Sequence, residues 1–296
     1  MKLKEFFQKA VACGVIHDPR GKEFISKSKG KNPYPDTEIL YGDLQKEIKN
    51  ILVGIDIESA ELLLAERLRK TNGGLDLVVS HHPEGKALAR LYQVMNVQIS
   101  LLEKMGVKKE LAQGLMQERI FEVERKLLSG NHLRTVDTAR ILDIPLVCLH
   151  TVADNLAYDF IFRLIKKNKP KKIAQIMELL LGIEEYKLAL EESVGPRILL
   201  GSPLRPVGKI MLEMTGGTEG SKDIFGWLYE AGVRTLICMH LSEEHFRKVK
   251  DRNLNIIIAG HISSDTLGLN LLLDEVDKKE ELKVFSCSGF RRIRHR

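Results

Sequence analysis

The chain has 296 residues, with 46 Lys and Arg against 40 Asp and Glu, for a formal net charge of +6. Its 44% hydrophobic and 29% charged content is ordinary for a soluble globular protein, and the length supports a full α/β core, for which two lobes are expected. No run of about 18 apolar residues exists, which excludes a transmembrane helix. The start lacks a signal-peptide core because Glu5, Gln8 and Lys9 interrupt it, so a cytoplasmic location is expected.

Residues 1–17 have the spacing of an amphipathic helix, with Leu3, Phe6, Phe7, Ala10 and Val11 on one side. Residues 18–36, rich in Lys, Gly and Pro, read as a loop. A βα unit follows: a strand from Asn50 to Ile57, Ser59 as its helix cap, and a helix from Ala60 to Lys70 ended by Thr71-Asn-Gly-Gly74. A strand from Leu75 to Val79 leads into His81-His82-Pro83. Beyond Gly85 the spacing of Leu88, Leu91, Met95, Ile99 and Leu102 predicts a long helical stretch, broken by Gly106. A second helix carries Leu111, Leu115, Val123 and Leu127, and a third spans Thr135 to Leu142.

Ile144 to Leu149 reads as a strand ending on His150. Residues 155–190 read as helical, interrupted by the Lys-rich segment Lys166 to Lys172. Strands are expected at Arg197 to Leu200 and Val207 to Met214. The turn Thr215-Gly-Gly-Thr-Glu-Gly220 then opens a helix reaching Gly232, a strand from Arg234 to Met239 and a helix from Ser242. The next strand, from Asn255, ends at His261, and a helix (Thr266 to Val276) and a strand (Leu282 to Cys287) close the chain. The expected lobes are residues 1–170 with about 245–296, bearing the metals, and about 171–244.

Three of these short apolar runs end on histidine, at Ser80-His81-His82, Leu149-His150 and Gly260-His261. Such runs read as buried parallel strands, and ligand sites in open α/β sheets lie beyond the carboxyl ends of strands. Asp154 follows His150, and Asp265 follows His261, by four residues, which places each pair on one face of a helix. Imidazole with carboxylate is the donor set of transition-metal sites, and a carboxylate can bridge two cations. The chain therefore reads as a metal protein with two metals at one sheet edge. Asp154 and the serines at 263 and 264 also suit plain helix caps. His240, Glu243, Glu244 and His245 fit a surface helix as well as a site. The Gly-rich turn at 215–220 is not a P-loop, since Ser221 stands where the second glycine belongs, and it reads best as a tight strand-to-helix turn.

Cys13, Cys148, Cys238 and Cys287 form no CxxC pair and read as small core residues in a reducing compartment. The basic runs at 22–31, 166–172 and 291–296 read as solvated segments. They carry no interleaved aromatics and no nucleic-acid motif, so a nucleic-acid partner is not expected.

In order and spacing, Ser80-His81-His82-Pro83, His150-Thr151-Val152-Ala153-Asp154 and Gly260-His261-Ile262-Ser263-Ser264-Asp265 resemble the motifs of the Nif-three-like family of dinuclear-metal proteins, the GTP cyclohydrolase I type 2 homologues. The likeness runs from about residue 50 to 290. It implies a two-lobed α/β fold with mixed, mainly parallel sheets flanked by helices. It also implies a homo-oligomer, commonly a hexameric ring built from dimers. By matched positions, the metal ligands would be His81, His82, Asp154, His261 and Asp265, with His150 beside the metals. The family has glutamate where this chain has Asp265, which is shorter by one methylene and puts full occupancy of both positions in question.

The expected function is dinuclear metal-dependent hydrolysis of a small anionic substrate, a nucleotide or phosphoester, with His150 as the proton-transfer group. The two divalent cations would be zinc, iron, manganese, cobalt or nickel. The alternative is a non-catalytic metal-binding or regulatory oligomer. No membrane partner is expected in either case.

Overall fold

Alternate residues of the short apolar strands pack into different cores, which is why the runs are continuous rather than alternating. Ile51, Val53, Leu77, Val79, Val147 and Leu149 face one helix layer, while Leu52, Val78 and Leu146 face another. The computed structural model describes every residue except Lys29, Asn72, Gly73, Glu280 and Arg296. The helix stop expected at Asn72-Gly73, and parts of two basic runs, lie outside the described residues.

The helices are α1 (Leu3–Ile16), α2 (Lys22–Ser28), α3 (Ser59–Thr71), α4 (Gly85–Ala89), α5 (Asn96–Lys104), α6 (Lys109–Leu128), α7 (Arg134–Leu142), α8 (Thr151–Asn168), α9 (Ile173–Leu181), α10 (Glu184–Glu191), α11 (Phe225–Glu230), α12 (Glu243–Val249) and α13 (His261–Val276). The strands are β1 (Thr37–Tyr41), β2 (Asn50–Gly54), β3 (Leu77–Ser80), β4 (Leu146–Leu149), β5 (Arg197–Leu200), β6 (Lys209–Glu213), β7 (Val233–Cys238), β8 (Asn255–Ile258) and β9 (Lys283–Cys287).

Two mixed, mainly parallel sheets form, in the orders β1-β4-β3-β2-β9 and β5-β8-β7-β6. In each, one edge strand is antiparallel, β1 against β4 and β5 against β8, and the other pairings are parallel. The layers alternate. Helices α3 and α7 cover the outer face of the first sheet. Helices α1, α8 and α13 pack on its inner face. The second sheet packs its inner face against α8, α9, α10 and α13, and α5, α6, α11 and α12 cover its outer face. Each fully buried Leu or Ile in these layers stabilises the fold by about 1.5–3 kcal/mol relative to exposure.

Several local expectations differ from the structure. Residues 18–36, read as loop, contain α2, and the antiparallel strand β1 carries no alternation strong enough to announce it. The long helical stretch after Gly85 is three pieces, α4, a 3-10 turn at Leu91–Met95, and α5. The last helix starts at His261, five residues before Thr266. The three histidine-tipped strands do not share one sheet edge. β3 and β4 are neighbours in the first sheet, whereas β8 is hydrogen-bonded into the second. Sheet membership is a non-local property that a short apolar run does not encode.

The close approach of α8 and α13 at the centre depends on glycine. A Cβ at Gly268 would overlap the carbonyl of Ala153, and one at Gly14 on α1 would stand 2.6 Å from Cβ of Val152. Among the described residues, no helix is long and apolar enough to cross a membrane.

Candidate metal centre

β3 ends directly at His81 and His82, and their backbone amides donate to Gly54 O and Ile55 O at 3.0 and 2.9 Å, continuing the ladder with β2. β4 ends at His150, which caps α8 at φ −89° and ψ −92° and places Asp154 in the first turn. On the other side, β8 leads through Gly260 to His261, the first residue of α13, with Asp265 one turn on. Gly260 has φ 109°, and a Cβ there would meet Ser263 Oγ at 2.5 Å, so this turn requires glycine.

These segments bring all six expected residues together between the two sheets. His81 Nε2 stands 3.4 Å from Oδ1 of Asp154 and 3.4 Å from Oδ1 of Asp265. His82 Nε2 lies 3.4 Å, and His261 Nε2 3.6 Å, from Oδ2 of Asp265. His150 Nε2 lies 3.9 Å from Oδ2 of Asp154. The rings of His81 and His150 are 4.9 Å apart and those of His82 and His261 5.0 Å. Two compact groups of donors result, His81 with His150 and Asp154, and His81 with His82 and Asp265. His261 stands beside the second and is the most exposed of the set, at 39%.

The donors are buried without being satisfied. Both ring nitrogens of His81, Oδ1 of Asp154 and Oδ2 of Asp265 have no hydrogen-bond partner, although His81 is 0% and Asp265 1% exposed. Unpaired buried acceptors of this kind cost about 1–3 kcal/mol each, and more when charged. A divalent cation would satisfy them, so the residues fit a metal on chemistry as well as spacing.

Two further carboxylates orient the imidazoles. Asp36, fully buried, lies 2.8 Å from Nδ1 of His150 and accepts from Thr151 Oγ1 at 2.6 Å, both through Oδ2. Asp56 Oδ1 lies 2.6 Å from Nδ1 of His82. A carboxylate on Nδ1 fixes the tautomer and turns the Nε2 lone pair toward the site, the usual arrangement behind metal-binding histidines. Sequence reading missed both. Asp56 sits just past an apolar strand, like the histidines, so the same rule would find it. Asp36 lies in a Pro-rich stretch with no periodic signal.

The electrostatics are those of a site built for positive charge. Burial alone would lower the His81 pKa, but the carboxylates of Asp265 and Asp154 outweigh it and push it up to about 10. Burial would raise Asp265, yet His81, His82 and His261 hold it well below the usual carboxylate range. His261 is lowered by burial, against the pull of Asp265. A proton on His81 therefore stands where a cation would act, and metal binding would release it.

The centre opens on a cleft whose far wall comes from the second sheet. There the Gly-rich turn is a tight loop. Gln98 Nε2 donates to the carbonyls of Gly216 and Thr218 at 2.9 and 2.6 Å, Gly220 N donates to half-buried Glu213 at 2.9 Å, and Lys222 pairs with Glu244 at 3.0 Å. His240 lies on this wall, its ring 4.7 Å from that of His261, whereas His245 is buried behind it in α12.

The sequence matches no family model and no curated protein. Comparison with solved structures defines the class: this two-sheet architecture is the NIF3 fold. A NIF3 superfamily protein from Sphaerobacter thermophilus is 24% identical over 95% of this chain and 97% of its own, with a TM-score of 0.81. Reduced HcgD from Methanocaldococcus jannaschii is 16% identical over 97% of both chains, TM-score 0.57. The protein ybgI, of unknown function, is 14% identical over 90% of this chain and 94% of its own, TM-score 0.53. The resemblance carried by the three histidine motifs is thus matched by the fold.

Proposed function

We propose that the chain is a dinuclear metal-dependent hydrolase acting on a small substrate that presents an oxyanion to the metals. The observation that carries this reading is the pair of donor groups meeting at His81, with buried carboxylate oxygens that no protein donor satisfies. An imidazole nitrogen offers one lone pair, so His81 would hold one cation, with His82, His261 and Asp265, and Asp154 would hold the other. His150, expected to transfer protons, is better suited as a ligand beside Asp154, because Asp36 holds its Nδ1 and leaves Nε2 toward the site.

Divalent cations held there supply Lewis acidity and lower the pKa of water. The protein's part is to hold the donors rigid, to keep their other nitrogens on Asp36 and Asp56, and to leave the site open toward His261 and the cleft. That opening favours catalysis over a closed structural site. Hydrolysis of a chromogenic phosphoester and a nucleotide panel by manganese- or zinc-loaded protein tests the reading. Turnover abolished by chelation and by His81→Ala supports it. A fully loaded protein that turns over no ester, amide or nucleotide would leave the non-catalytic metal-binding alternative.

A further inference from the structure

The cleft wall opposite the metal donors carries a third imidazole that faces a carboxylate, at a longer distance than His82 and His150 do. Nδ1 of His240 stands 3.4 Å from Oε1 of Glu219, as Nδ1 of His150 faces Asp36 and Nδ1 of His82 faces Asp56. Glu219 is itself fixed. Its Oε1 accepts the Ser242 amide at 2.5 Å, and its Oε2 lies 3.4 Å from His245 Nδ1. His245 in turn is held by Gly220 O at 3.0 Å and Ser242 Oγ at 2.7 Å. This places His240 at the end of a built chain of contacts rather than on a loose surface loop. The ring is 43% exposed, lines the cleft and is adjacent to His261.

The second observation concerns charge. Among the described residues no lysine or arginine lines the cleft, while Glu213 and Glu219 stand on its far wall. Beyond the metal donors, His240 is the described residue on that wall whose imidazole faces a carboxylate. A chain of phosphates is held along its length by Lys or Arg side chains, and on this wall the carboxylates of Glu213 and Glu219 stand in their place.

We propose that His240, positioned by Glu219, is the substrate-contacting residue of the far wall, and that the cleft takes a compact substrate with a single oxyanion head rather than a polyphosphate. This rests on the dinuclear hydrolase reading and narrows its substrate. Nε2 of His240 accepts from a hydroxyl of the substrate or, when the ring is charged, donates to its oxyanion. Glu219 acts only through His240.

The test uses full-length manganese-loaded protein, with manganese in excess so that chelation does not strip the centre. Inorganic phosphate and tripolyphosphate are titrated by calorimetry into the wild type and the His240→Ala, His240→Gln and Glu219→Gln variants. The expected result is that phosphate binds about tenfold more weakly to His240→Ala, and that His240→Gln recovers most of the loss. Metal content and melting temperature stay at the wild-type level, which a merely structural role would not allow. Tripolyphosphate binds the wild type no tighter than phosphate. Unchanged phosphate affinity in His240→Ala, or tripolyphosphate binding more than tenfold tighter than phosphate, overturns the proposal while the metal reading stands. A wild type that takes up no manganese overturns the metal reading, and the proposal with it.

Discussion

Gly268 on α13 packs directly against the carbonyl of Ala153 on α8, leaving no room for a Cβ. Ala153 precedes Asp154, and Gly268 lies one turn beyond Asp265, so this contact sets the spacing of the two carboxylates that face His81. Gly268→Ala gains about 1 kcal/mol of helix propensity, but the obstructing atom is backbone and cannot rotate away. A net loss of about 1–3 kcal/mol is expected. Thermal unfolding should show a lower melting temperature, together with weaker metal retention. A variant as stable and as metal-rich as the wild type would mean that the helices separate without consequence.

Asp36→Asn removes the charge behind His150 while keeping an acceptor for Thr151. Removal of such a partner typically weakens metal binding by about 10–100-fold. Chelator competition on the loaded protein measures this directly. The same substitution at Asp56, which is more exposed, should have the smaller effect. Equal and negligible effects at both positions would deny them an orienting role.

Asp265 stands where the resembling family has glutamate, and its short side chain already lies within 3.6 Å of three histidines. Asp265→Glu should therefore overpack a site with 1% exposure, costing about 1–3 kcal/mol and lowering metal occupancy. Higher occupancy than the wild type would show instead that the aspartate is a deficit.

The raised pKa of His81 gives a signed pH dependence. Its value moves from 6.5 in the unfolded chain to about 10 in the metal-free fold. The stability it contributes is fully present below about 6.5 and is lost as pH rises through about 10. Metal-free protein should lose melting temperature between pH 7 and 10, whereas loaded protein, with no proton there to lose, should not. Asp265, lowered in the fold, works in the opposite sense, and its contribution is lost only well below pH 4. Parallel profiles for both forms would contradict the exchange of proton for cation.

Much of this site was legible because its chemistry sits at strand ends. Apolar runs closing on His81, His150 and His261, with carboxylates four residues after two of them, needed only local patterns. What stayed hidden is non-local. No pattern in Asn255–Ile258 tells that β8 joins the second sheet, so the centre was expected at one sheet edge and is found between two sheets. Asp36 was hidden because its partner is 114 residues away. His240 was visible after its strand but indistinguishable from a surface histidine until Glu219 and His261 were seen beside it.

The most direct test of the account is metal stoichiometry. Full-length protein is stripped, reloaded separately with zinc, manganese and ferrous iron, and measured by mass spectrometry beside His81→Ala and Asp154→Asn. The account predicts about two divalent ions per chain, at most one in either variant, with all three proteins folded. A folded wild type that retains no ion of any of the three metals would contradict it.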